Sequence, residues 1–515
     1  MGLQDADLVS VQEARELAAR AKTAQQELRG FSQEQVDRIV EAMAAAVRPE
    51  AEALARLAHE ETGFGNVEDK RRKNLFTSVD VPNYIRGMRT VGVLREDRER
   101  RVVEIAEPMG VVAAIIPCTN PTSTAIHKAL ISVKARNACV MSPHPSARRS
   151  ILKTAELLAA GALGAGLPAH ALACMETVTL EGTQELMRCR DTTVILATGG
   201  IGLVRAAYSS GKPAYGVGPG NVPVYLDRSA DVPRAVRDVV DGKTFDFGTL
   251  CSSEQALVCD QPVHEQALQE LTKNGAYLLS EAEAAAVAKV VVTPQRLANP
   301  AIVGRPAPYI AAQAGLTVPP ETRVLVARLT GVGREHPLSI EKLSPVLAFY
   351  VVKDWREGVE RCRQLLRYGG TGHSAGIHAQ DDAVIREFAL AQPAFRIVAN
   401  TQTSMGATGG TTGLAPSMSL GCGAWAGNIT SDNITPLHLI NVKRLAYGLD
   451  RSQAGTASSA SASAAAPATQ EPALDFVSED DVRRALRDGR KLRLVARAIV
   501  TPSARDLAAG TDVLV

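Results

Sequence analysis

The stretch "VVAAIIPCTNPTSTAIHKALISVKARNACVM", residues 111–141, decides the fold. It opens on an unbroken apolar run, Val111 to Ile116, passes through a segment of helix length and closes on a second run, "ACVM" (138–141). A strand with one wet face alternates polar with apolar residues, whereas runs without alternation belong to strands covered on both faces. The same texture returns in "VVEIA" (102–106), "TVILA" (193–197), "PVYL" (223–226), "ALVC" (256–259), "VVV" (290–292), "VLVA" (324–327), "VLAFYVV" (346–352) and "RIVA" (396–399). Short β-branched runs separated by helix-length segments predict an α/β fold built on parallel strands.

Upstream, residues 7–75 read as helical. Ser32 with Gln35 forms a capping box, after which Val36, Ile39, Val40, Met43 and Val47 fall on one face. Two stretches break the α/β rhythm. The charged segment "RTVGVLREDRERRVVEIAEP" (89–108) reads as a projecting hairpin, and "SQAGTASSASASAAAPATQ" (452–470) has no charge and no large side chain to build a core. The latter predicts a flexible linker. Beyond it Ser478 and Asp481 make a cap signature, Val482, Ala485 and Leu486 share a face, and Gly489 stops the helix. "KLRLVARAIV" (491–500) then reads as a strand and "TPSARDLA" (501–508) as a second capped start, so 476–515 is expected to be a tethered docking module.

The bulk numbers exclude several classes. A net charge of +2 over 515 residues gives no basic field for nucleic acid, and no long uncharged apolar run is present to span a membrane. The eight cysteines are scattered, with no C-x-x-C pair and no histidine set at ligand spacing. Reduced thiols in a cytoplasmic protein, without a metal site or a disulfide framework, are therefore expected.

One thiol stands apart. In "FDFGTLCSSEQ" (245–255), Cys251 is flanked by Gly, Thr and Ser, whereas free cysteines usually lie among larger apolar residues. Small polar neighbours suit a thiol that must be reached and must ionise, and a lowered pKa is expected for it. Cys422, in "LGCGAW", is the other cysteine in a glycine-rich setting.

"FDFGTLCSSEQALV" resembles the nucleophile segment of the aldehyde dehydrogenase superfamily, and more narrowly that of its CoA-acylating branch. Further matching segments are "ETGFGNVEDKRRKN" (61–74), "IIPCTNPTSTAIHKALISVKARNACVMSPHPSA" (115–147) and "ATGGIGLVRAAYSSGKPAYGVGPGNVP" (197–223). "EKLSPV" (341–346), "GGTGHSAGIH" (369–378) and "LAPSMSLGCGAWAGN" (414–428) complete the set, so the resemblance covers about residues 7 to 447. It implies a Rossmann-like cofactor domain (1–88 and 109–222), an α/β catalytic domain (223–428) and an oligomerisation element (89–108 and 429–447) that makes a homodimer or homotetramer. A linker (448–475) and the 476–515 module would follow, where bifunctional relatives carry an iron-dependent alcohol dehydrogenase half. Similar tethered segments direct enzymes into bacterial microcompartments, which gives the module its expected partner, a shell or cargo protein.

The resemblance also implies site roles. Cys251 is the expected nucleophile and Asn120 the oxyanion donor, although the Asn-Pro dipeptide alone reads as a turn. Ser142, Pro143, Thr198, Gly199, Gly200 and Gly218 are expected to line the NAD site, with Glu341 on the nicotinamide ribose. NADP stays open, because Arg148 and Arg149 follow closely on Ser142. His373, flanked by glycines and read as a loop residue, is the expected acid/base. Val217 occupies the place where hydrolytic relatives carry the glutamate that activates water. An apolar residue cannot take a proton, so the expected acceptor of the acyl group is coenzyme A. The expected reaction is reversible oxidation of a short-chain aldehyde to an acyl-CoA. Two rivals accompany it: a hydrolytic NAD(P)-dependent dehydrogenase using another base, and a non-catalytic scaffold.

Overall fold

The computed structural model describes residues 5–449 and 473–515, in two compact units, 1–445 and 446–515. The expected linker lies for the most part outside the described residues.

The first unit begins with helices Ala6–Leu28, Gln33–Val47, Ala51–Thr62 and Val67–Leu75. The second carries the capping box read from the sequence, Gln35 N–H to Ser32 Oγ at 3.3 Å and Ser32 N–H to Gln35 Oε1 at 2.8 Å. Val36, Ile39, Val40, Met43 and Val47 are all buried, so the amphipathic reading of this face holds. The first two of these helices share a core with a five-stranded sheet whose spatial order is Leu172–Cys174, Ala138–Pro143, Val111–Ile116, Val194–Thr198, Ala214–Val217. All its pairs are parallel. Every residue of Val111–Ile116 and Ala138–Pro143 is buried, which is why those runs do not alternate.

Chain direction across this sheet reverses at Val111–Ile116: the next strand pairs on one side of it and Val194–Thr198 on the other. Such a switch point leaves a crevice at the carboxyl ends of the strands, where α/β folds bind ligands. A second, seven-stranded parallel sheet runs in the order Ala276–Leu279, Val324–Arg328, Val346–Val352, Glu254–Asp260, Val222–Leu226, Gly372–His378, Ala394–Ala399. The hairpin Gly92–Asp97 and Val102–Pro108 pairs antiparallel and forms a three-stranded sheet with Ile440–Ala446. Lys443 to Glu107 (2.7 Å) and Arg444 to Glu104 (3.2 Å) are ion pairs within this sheet.

Three readings are corrected. "VVV" (290–292) is not a strand: helix Glu281–Val291, started by a Ser280–Glu283 capping box, runs into it. "GHSAGIH" is not a loop but strand Gly372–His378, buried throughout, so His373 sits inside the second sheet. In the second unit Leu486 is 40% exposed, so Val482 and Ala485 alone of the proposed face enter the core. The rest of that unit follows its signals. Leu474–Val477 pairs in parallel with Leu494–Val500. Helix Glu479–Asp488 starts at the Ser478–Asp481 box and ends at Gly489 (φ 65°), and Thr501 caps helix Pro502–Ala508.

Candidate active site

Cys251 follows the one-turn 3-10 segment Phe245–Gly248 and precedes the buried strand Glu254–Asp260. The turn is strained. Asp246 and Phe247 adopt φ of 47° and 52°, a left-handed region that residues with a Cβ seldom enter. The Cys251 side chain is half-buried and packs against Val217, Val398, Ala407 and Leu420. Burial first, then Glu341 and Cys422, pushes its thiol up to about 12, while Arg396 pulls the other way. The expected lowered pKa is thus reversed in the structure without ligands. In space the side chain meets an apolar cluster that its small polar neighbours in sequence do not announce.

Asn120 ends the turn that leaves Val111–Ile116 and stands just before helix Pro121–Lys134. Its side chain makes no capping bond to that helix, so the Asn-Pro turn does not account for it. Instead Nδ2 donates to Thr119 Oγ1 (3.1 Å) and to the carbonyl of Thr249 (3.3 Å), two residues before Cys251. Its Oδ1 accepts from Lys73 Nζ at 2.6 Å. The first and second sheets therefore bring Asn120 and Cys251 to one place.

His373 is fully buried, with Nδ1 3.0 Å from Ser374 Oγ. Its Nε2 is buried with no hydrogen-bond partner among the described residues. Burial, reinforced by Arg396, drives its pKa well below the usual histidine range, so the ring is neutral at physiological pH. Gly220 joins these groups. A Cβ there would lie 2.0 Å from the carbonyl oxygen of Cys251 and 2.9 Å from His373 Nδ1, an approach only glycine permits. The Gly220 N–H donates to Glu341 Oε1 at 2.8 Å. Burial raises the Glu341 carboxyl to about 7, against the pull of the Gly220 N–H, Lys243 and Lys342. Glu341 thus lies on the "GVGPGN" loop, within electrostatic reach of Cys251.

The residues expected to hold NAD collect at the switch point. Pro143 ends strand Ala138–Pro143, and Thr198 ends Val194–Thr198 with its Oγ1 buried and unpartnered among the described residues. Nothing lies within 4 Å of a Cβ built on Gly200 or Gly218, so the backbone there faces open space. Helix Ile201–Tyr208 begins at Gly200 without a side-chain cap, leaving its first N–H groups free for an anion. These features fit a dinucleotide. A Cβ on Gly199 would instead meet the Leu203 side chain at 2.6 Å. Ser142 departs from expectation as well: its hydroxyl is paired with Thr183 Oγ1 (2.8 Å) inside the fold, so only its backbone can face a ligand.

Several groups at this site carry no signal in the sequence. Arg396 is buried and bonded to Ser374 Oγ (3.3 Å), the Ser431 carbonyl (3.0 Å) and the Gly372 carbonyl (3.4 Å), within electrostatic reach of Cys251 and Cys422. Cys422 donates to the Leu420 carbonyl (3.5 Å) and lies within electrostatic reach of Cys251, which places this second thiol at the edge of the site. Lys70, Lys73 and Asp246 form a buried charge cluster beneath Asn120. Pairing a lysine in "EDKRRKN" with an aspartate more than 170 residues away requires the fold. All eight cysteines are free, and among the described residues no three His, Cys, Asp or Glu side chains converge as a metal site. No helix among them is long and apolar enough to cross a membrane.

Residues 3–294 match the family model described as "Aldehyde dehydrogenase family". The bifunctional aldehyde-alcohol dehydrogenase AdhE of Escherichia coli is 44% identical over 444 residues, 85% of this chain and 50% of that protein. This chain thus spans about half the length of that relative. The crystal structure of an acetylating aldehyde dehydrogenase from Geobacillus thermoglucosidasius superposes with a TM-score of 0.86 at 52% identity, covering 87% of this chain and 99% of that one. A propionaldehyde dehydrogenase from the Clostridium phytofermentans fucose utilisation bacterial microcompartment superposes with a TM-score of 0.76 at 28% identity, covering 84% and 97%.

Proposed function

Because the chain belongs to the aldehyde dehydrogenase family, we propose that it is a CoA-acylating member. It converts a short-chain aldehyde, NAD and CoA into an acyl-CoA, NADH and a proton, reversibly, through a thioester on Cys251. The observation that carries this reading is Val217, 3% exposed and packed in the same apolar cluster as Cys251. A valine there supplies no base to water, so the thioester persists until a thiol arrives.

The Cys251 thiol gives up its proton, the one that appears among the products. The resulting thiolate attacks the aldehyde carbon while Asn120 Nδ2 with the Cys251 backbone N–H holds the oxygen that becomes an alkoxide. The backbone at Pro143, Thr198, Gly200 and Gly218 would hold NAD, which would supply the hydride acceptor for the collapse of the alkoxide to the thioester. The neutral His373, with its unpartnered Nε2, takes the proton of the incoming CoA thiol. NADP is the alternative cofactor for the same crevice. We assign 1–88 and 109–222 to cofactor binding, 223–428 to catalysis, and 89–108 with 429–447 to a homodimer or homotetramer contact.

One observation favours the hydrolytic rival. Glu341, held near pH 7 and within electrostatic reach of Cys251, is a carboxylate able to activate water. Its bond to Gly220 ties it to the loop, and the product separates the two readings. With propionaldehyde, NAD and CoA, mass spectrometry should find propionyl-CoA in step with NADH, whereas propionate as the main product would establish the hydrolytic reaction.

The 476–515 module extends the proposal to location, with docking on a microcompartment shell or cargo protein as its role. Its own apolar core supports a folded element rather than a loose tail. Deleting 473–515 should leave the NADH kinetics unchanged and remove the enzyme from the microcompartment fraction of its native host. Co-fractionation of the truncated chain at the full-length level would end the docking assignment.

A further inference from the structure

A carboxamide is nearly symmetric in shape, but one end accepts and the other donates. An asparagine stabilises an oxyanion only when its NH2 end faces the reacting oxygen. Something must hold it that way round. A neighbour that only donates or only accepts does so without ambiguity: the Thr249 carbonyl accepts from Asn120 Nδ2 (3.3 Å), and at the other end a lysine ammonium has three donors and no acceptor.

Asn120 has such a neighbour. Lys73 Nζ is 2.6 Å from Oδ1, and the lysine is buried at 2% side-chain exposure. The ammonium also pairs with the Asp246 carboxylate, which is wholly buried. Asp246 in turn takes Lys70 Nζ at 3.0 Å, Thr249 Oγ1 at 2.7 Å and the Asn66 N–H at 2.8 Å. Asp69 Oδ2 accepts the Asp246 N–H at 2.8 Å and so fastens the strained turn before Cys251 to helix Val67–Leu75. Gly65 (φ 64°) leaves the room: a Cβ there would stand 1.8 Å from Asp246 Oδ1. One charge cluster therefore joins three segments distant in sequence, at residues 65–73, 119–120 and 246–249.

Resting on the reading of Asn120 as oxyanion donor, we propose that Lys73 is its positioning residue: the ammonium, anchored on Asp246, fixes Oδ1 away from the reaction and turns Nδ2 toward the oxygen at Cys251. Lys70 shares Asp246 but has no bond to Asn120, its other acceptor being the Thr119 carbonyl (3.3 Å). It is the internal control for cluster integrity.

The test is a double-mutant cycle on the NADH burst with propionaldehyde. Lys73→Met should lower the burst rate by roughly 10- to 100-fold, below the full effect of losing an oxyanion donor, with the aldehyde KM nearly unchanged. Combined with Asn120→Ala it should cost no more than Asn120→Ala alone, because both act through one amide. Lys70→Met, combined with Asn120→Ala, should multiply. If the losses of Lys73→Met and Asn120→Ala multiply, or if Lys73→Met retains the wild-type burst, the positioning role is overturned. An undiminished burst in Asn120→Ala would instead remove the oxyanion reading beneath it. Should Lys73→Met not fold, Lys73→Gln keeps a polar group of similar length. Its amide can present either end, so the same loss and the same lack of multiplication are expected, and their absence overturns the proposal equally.

Discussion

Cys251→Ala should abolish NADH formation from aldehyde, NAD and CoA, a loss of at least about 10⁴-fold, the size expected when a covalent nucleophile acting with its partners is removed. The chain has eight cysteines, and an intact Cys422 lies near the site, so residual activity would reveal substitution by the second thiol. None is expected. Cys422 is bonded to the Leu420 carbonyl at 3.5 Å and is 2% exposed, which keeps its sulfur from an aldehyde seated at Cys251. Binding should survive. Cys251 is half-buried in an apolar cluster, so alanine removes little packing, and melting temperature and NAD affinity should stay close to wild type. Activity above about a hundredth of wild type would refute Cys251 as the nucleophile.

Asn120→Ala should slow the NADH burst by about 10²- to 10³-fold, the usual cost of losing one oxyanion donor, about 3–4 kcal/mol. The loss should fall on kcat rather than on the aldehyde KM, since the bond strengthens as charge develops on oxygen. Removing the amide also leaves Lys73 without one of its acceptors. Its pKa already stands at about 8, because burial outweighs the pull of Asp246. A modest drop in stability should accompany the kinetic effect, smaller than the loss from Lys73→Met, which leaves the Asp246 carboxylate one paired cation, Lys70, instead of two. Stopped-flow NADH absorbance measures the first effect and thermal unfolding the second. An unchanged burst would strip Asn120 of its role.

What the sequence could tell depended on how local each signal was. The parallel strands were legible because burial on both faces writes an unbroken apolar run, and Val111–Ile116 is the clearest case. Strand Gly372–His378 was not: two glycines, a serine and two histidines have little strand preference, and burial between strands Val222–Leu226 and Ala394–Ala399 holds them extended. "VVV" misled for the opposite reason, since β-branched residues can close a helix that an alanine run and a capping box have already started. The linker expected at 452–470 is a matter of composition and lies outside the described residues.

At the site, motifs located Cys251, Asn120, His373 and Glu341, and the fold gathers them. Their environments were illegible. Cys251 has small polar neighbours in sequence, but in the fold it is packed against an apolar cluster and faces Glu341 and Cys422, which is why its thiol is raised rather than lowered. The charged run "EDKRRKN" reads as a solvated helix face, yet Lys70 and Lys73 turn inward to one buried aspartate. No pattern within a window of the chain announces that pairing.

The central claim is that the thioester on Cys251 waits for a thiol. The most direct measurement is steady-state NADH formation with propionaldehyde and NAD, with and without CoA. Turnover that continues only with CoA, after at most one NADH per site without it, is the predicted result. Sustained turnover without CoA would contradict the account, and would mean that a base other than Val217's missing glutamate activates water at this site.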